Sequence, residues 1–120
     1  MVEEIFADIP EIRFAYLFGS AAEGTESPLS DVDVAVYLED EANIFQKHLQ
    51  IHHTLAKRLK KDVDLVVLNN VRNFNLLDAI LRHGVVVVDR DPDFRFAFEV
   101  EAQHRILGYR AFKKAVHGQN

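Results

Sequence analysis

The 120-residue chain contains no cysteine, which excludes disulfides and thiolate metal sites. No apolar run approaches the roughly 18 residues of a membrane-spanning helix, and no signal-peptide pattern opens the chain, so a cytoplasmic protein is expected. An excess of positive charge is also missing: 14 Lys and Arg stand against 19 Asp and Glu, a formal net charge of -5. Binding to a long nucleic acid draws on clustered Lys and Arg, so that class of partner is disfavoured. The one basic cluster, Lys57, Arg58, Lys60 and Lys61, has the position of a solvated last helical turn, where cations suit the dipole. There is no internal repeat and no linker. With 48% apolar and 28% charged residues, residues 1–120 read as one globular domain with a single core.

The apolar pattern alternates between helical and extended periods. Val2, Ile5, Phe6 and Ile9 recur at helical spacing and Pro10 ends them, which predicts a short amphipathic helix. From Ile12 to Phe18 alternate residues are apolar, and the intervening Ala15 and Leu17 are too, so this strand is expected to be central. A second strand is predicted over Asp31–Leu38. Glu39, Asp40 and Glu41 then give an acidic start to a helix, with Ile44, Phe45, His48, Leu49, His52, Leu55, Ala56 and Leu59 at three- and four-residue intervals. His48 and His52 share a face, but no zincin glutamate follows the first, so packing or a wet helix edge is preferred to zinc.

A third strand, Val63–Leu68, carries Asp64 inside an apolar run. A carboxylate buried there is costly unless satisfied, which leaves a core ion pair or a ligand as alternatives; Asp62 shares its face and is a rival. Asn69, Asn70 and Asn73 mark a turn, a helix carries Phe74, Leu77, Ile80 and Leu81, and Gly84 caps it. Val85–Val88 is a fourth strand. Asp91 and Pro92 begin a C-terminal helix over about 92–116; core packing accounts for most of its apolar residues, and a surplus, above all Phe94, Phe96 and Tyr109, is left for a partner surface. The tail from Val116 to Asn120 is expected to fray. The fold class is α+β, a mixed sheet of about four strands with helices packed on it.

One stretch carries chemistry. Gly19 and Ser20 follow the first strand at once, and after ten further residues Asp31 and Asp33 open the second. Residues two apart on a strand point the same way, so Asp31 and Asp33 project together while Val32, Val34 and Val36 face the other side. Paired carboxylates repel unless a cation lies between them, and magnesium prefers one or two carboxylates plus substrate phosphates. Gly19 lets the backbone approach a ligand, and Ser20 offers a hydroxyl and an N–H to phosphate oxygens. A helical turn beginning at Ala21 would add N–H groups to such an anion site, and Thr25, Glu26, Ser27 and Pro28 read as a polar loop beside it.

Gly19-Ser20, ten residues, then Asp31-x-Asp33 resembles the signature of the DNA polymerase β-type nucleotidyltransferase superfamily, and the short length resembles its minimal nucleotidyltransferase (MNT) branch. The likeness covers roughly residues 12–89. It implies the nucleotidyltransferase fold, ATP as substrate, two Mg2+ ions held by Asp31, Asp33 and a third acid matching Asp64, and Gly19 and Ser20 on the terminal phosphates. Asp64 would act by coordination or as a general base. It further implies an antitoxin that transfers AMP to a tyrosine hydroxyl of a HEPN-domain ribonuclease toxin, with which it can form a hetero-oligomer. Two other classes stand beside this: a small-molecule or RNA-end nucleotidyltransferase, and an idle antitoxin acting by contact alone.

Overall fold

The computed structural model describes residues 2–19 and 31–117. In chain order these form α1 (Val2–Ala7), β1 (Ile12–Phe18), β2 (Val32–Leu38), α2 (Ile44–Leu59), β3 (Val63–Val67), a 3-10 turn (Leu68–Asn70), α3 (Phe74–His83), β4 (Val85–Asp89) and α4 (Pro92–His117). The sheet order is β3-β2-β1-β4. β1 is antiparallel to both β2 and β4, and β2 and β3 run parallel. A parallel pair needs a long crossover, which α2 supplies. The expected four-stranded mixed sheet and the central place of β1 are both found.

Each face of the sheet is covered. On one side Phe6 and Ile9 at the N-terminus and Ile51 and Leu55 of α2 pack over Val32, Val34, Val36 and Leu38. On the other, Leu77 and Ile80 of α3 and Ala102 and Ile106 of α4 pack over Phe14, Tyr16, Phe18 and Ala35. Phe14 has no exposed surface and stacks on Tyr37 at 5.1 Å between centroids, with Phe98 at 5.4 Å. Burying such a ring is worth about 1.5–3 kcal/mol.

Several local expectations need correction. Ile12 packs with the α1 and α2 side and Phe14 with the α3 and α4 side, because the β1–β2 register shifts between them; a bulge at Arg13 inverts the alternation. The acids 39–41 do not start α2, whose first turn holds none. Asp40 Oδ1 instead accepts the Ala42 N–H at 2.9 Å, a local turn that holds the chain back, and Asn43 at φ 58° precedes the first helical residue. Gly84 does close α3, its N–H donating to Ile80 O at 2.8 Å. It does so in an extended rather than left-handed conformation. α4 continues to His117, past the expected fraying point at Val116; residues 118–120 lie outside the described set.

Candidate functional site

The site is built where β1 ends beside the start of β2 and β3. Cα pairing sets Phe18 opposite Asp33 and Asp33 opposite Asp64, so two of the three predicted acids sit side by side on adjacent strands. Strands lie about 4.8 Å apart. Across that gap two carboxylates repel by about 1–3 kcal/mol between the bulk-water and near-surface limits. Asp31, one residue before β2, is exposed, and Asp33 is half-buried. Burial first, then the charges of Asp64 and Asp31, push the Asp33 carboxyl above the usual carboxylate range. Val32, Val34 and Val36 are buried on the opposite face, as the alternation predicts.

Asp64 is exposed, so the expected cost of burying it does not arise and a core ion pair is ruled out. β3 is an edge strand, which opens to water a residue that the apolar run alone would place in the core. Asp62 is also exposed, and its backbone oxygen accepts the Val32 N–H at 3.0 Å. The register nevertheless puts Asp64, not Asp62, beside Asp33.

Gly19 has φ +69°, and a Cβ built there would lie 2.2 Å from Asp33 Oδ2. The left-handed backbone and the close approach each demand glycine. Ser20 and the polar loop through Ser30, including the helical turn expected at Ala21, lie outside the described residues.

The family model of polymerase beta nucleotidyltransferases matches residues 1–93. The chain belongs to that family. The curated protein adenylyltransferase MntA of Shewanella oneidensis is 38% identical over 63 residues, 52% of this chain and 45% of the relative, so the match spans less than half of that relative's length. A solved toxin–antitoxin structure with AMP-PNP matches at TM-score 0.79 and 28% identity, over 96% of this chain and 91% of that chain. A complex of tri-AMPylated Shewanella oneidensis HEPN toxin with MNT antitoxin matches at TM-score 0.74 and 24% identity, over 96% and 88% of the two chains. These likenesses establish the nucleotidyltransferase fold read from the Gly19–Asp33 motif.

The donor set suits a hard cation. Asp31, Asp33 and Asp64 offer only carboxylate oxygens, Asp33 is disfavoured as an anion by burial and then by its neighbouring carboxylates, which a cation would relieve, and Gly19 leaves a cradle that a side chain would fill. Among the described residues no three His, Cys, Asp or Glu groups converge as a ready cage. Magnesium does not require one, since it keeps waters and substrate phosphates in its shell.

Two supports of the site were not read from sequence. His52 Nε2 lies 2.9 Å from Val63 O, bracing the start of β3. Tyr16 donates its hydroxyl to Glu99 at 2.5 Å, while Arg95 bridges Glu99 and Asp89, each at 2.9 Å. Burial, and then Glu99, push the Tyr16 phenol above its ordinary range. The i, i+4 spacing of Arg95 and Glu99 was the available signal. This network fastens α4 to β1 and lies within the fold. Among the described residues no helix is long and apolar enough to cross a membrane.

Proposed function

We propose that this chain is a magnesium-dependent protein adenylyltransferase, the MNT antitoxin of a HEPN/MNT pair, which transfers AMP from ATP to a tyrosine hydroxyl of its HEPN-domain toxin. The observation that carries the chemistry is Asp33 set in register with Asp64 beneath Gly19. The substrate and partner follow from likeness to the MntA adenylyltransferase and to the toxin–antitoxin structure with AMP-PNP.

In this reading Asp31, Asp33 and Asp64 would hold the metal, which would supply charge neutralisation of the triphosphate. Gly19 keeps the end of β1 clear, so the terminal phosphates approach the backbone and Ser20. The tyrosine oxygen forms a bond to the α-phosphorus while the bond to pyrophosphate breaks. Pyrophosphate leaves, and Asp64, exposed at the start of β3, receives the hydroxyl proton. Most of the rate comes from holding these groups in line.

The test incubates the protein with radiolabelled ATP, magnesium and a HEPN-domain toxin, comparing wild type with Asp31→Asn/Asp33→Asn. Label on the HEPN protein that needs both acids and magnesium supports the proposal. A tight complex without label, equal for both versions, refutes the enzymatic reading in favour of contact inhibition. Label on RNA ends or a small hydroxyl compound instead of the protein refutes the acceptor.

A further inference from the structure

β3 forms one edge of the sheet, and its main chain shows how that edge is used. The Val32 N–H donates to Asp62 O at 3.0 Å, which turns the peptide groups of Asp62 and Asp64 toward β2. Successive strand residues alternate sides, so the groups of Val63 and Leu65 turn outward. Val63 O is met by His52. Among the described residues nothing is hydrogen-bonded to the outward N–H and C=O of Leu65.

Beside this edge runs a groove of about 450 Å³ between β3 and α2, walled by Phe45, His48, Leu65, Val66 and Asn70 among others. Phe45 is 73% exposed and Leu49, one turn on, 55%. Both lie on the face of α2 that carries His48 and His52. Natural edge strands are blunted by charged side chains, proline, bulges or shortness; β3 reads Val-Asp-Leu-Val-Val, with Asp64 its one charge and no proline. Open main-chain donors and acceptors next to an apolar groove are the recognition surface of an added strand. The net charge of -5 and the peptide spacing of these groups favour a polypeptide over a nucleic acid.

We infer that the β3 edge receives the acceptor protein as an added strand, its main chain paired with Leu65, its apolar side chains against Phe45 and Leu49, and its tyrosine delivered to Asp64. This rests on the reading of the chain as a protein adenylyltransferase and names where that acceptor docks. The same strand then carries both the docking groups and the acid, so binding fixes the distance between them.

The experiment uses the full chain with ATP, magnesium and the HEPN-domain toxin of the labelling test. Phe45→Glu/Leu49→Glu alters only exposed side chains, and Phe96→Glu, on the 66% exposed outer side of α4, is the control. Expected is a tenfold or greater rise in KM for the HEPN protein in the double variant, with KM for ATP unchanged and the control at wild-type values. Amide exchange at Leu65 should slow at least tenfold when the HEPN protein binds wild type. An unchanged KM in the double variant, a rise in the Phe96→Glu control alone, or no protection of Leu65 overturns the inference and leaves the adenylyltransferase reading standing. If wild type labels no HEPN protein, that reading fails by itself. The docking claim is then decided by dissociation constants, with tenfold weakening in the double variant for it and equal affinity against it.

Discussion

Replacing Gly19 by alanine tests the link between backbone and chemistry. At φ +69° a left-handed conformation costs an L-residue about 1–2 kcal/mol. The new Cβ would also stand 2.2 Å from Asp33 Oδ2, so the Asp33 side chain must leave its rotamer at about 0.5–1.5 kcal/mol. Alanine recovers about 0.4–1 kcal/mol by restricting the unfolded chain. The net loss is about 0.5–3 kcal/mol, inside the roughly 5–15 kcal/mol stability of such a domain, and lowers Tm by roughly 2–18 °C. Displacing a reacting carboxylate by about 1 Å costs on the order of 10²-fold in rate. Thermal unfolding by circular dichroism and AMP transfer to the HEPN protein, measured on the same preparation, should therefore show a folded protein with a far larger loss in rate than in stability. A folded Gly19→Ala that transfers AMP within threefold of wild type would refute the reasoning.

Gly108 is the contrasting glycine: a Cβ there meets nothing within 4 Å, and Gly108→Ala in mid-helix should stabilise by about 0.5–1 kcal/mol in a denaturant titration. Asn73→Ala removes the side chain that accepts the Leu76 N–H at 3.0 Å and should cost about 0.5–2 kcal/mol as the lost cap of α3, read by the same titration. Asp33 carries a raised folded pKa, so its ionisation opposes folding, and the penalty appears as pH rises through that raised value. Metal-free Asp33→Asn should accordingly melt above wild type at neutral pH, the difference closing as pH falls through the carboxylate range. Equal melting temperatures at every pH would contradict the burial and the neighbouring charges held to raise the Asp33 pKa.

The sequence made the ends of the first two strands legible because their signals are local. Phe18 to Gly19 and Asp31 to Val34 change character within one or two residues, and the period of two places Asp33 opposite Val34 without knowledge of the neighbours. Sheet order was not legible, since pairing depends on partners distant in sequence, and with it went the exposure of Asp64, which follows only from β3 being an edge. The bulge at Arg13 was hidden because Phe14 to Phe18 are apolar on both faces, so Arg13 alone is charged and one residue does not reveal the slip. Phe94 and Tyr109 are half-buried, each with a packing partner. Arg13 lies 3.8 Å above the Phe94 ring and Phe74 5.3 Å from that of Tyr109. Phe96 does remain exposed, joined by Leu107 and Phe112, because a 26-residue helix has more apolar positions than one sheet face can cover.

The most direct test of the central claim compares the rate of AMP transfer to the HEPN protein in Asp64→Asn and Asp62→Asn, with circular dichroism confirming the fold of each. Asp64 lies in register with Asp33, so its loss should lower the maximal rate by about 10²-fold or more, while Asp62→Asn stays within a few-fold of wild type. Transfer retained in Asp64→Asn, or lost in Asp62→Asn instead, would contradict the site as assigned.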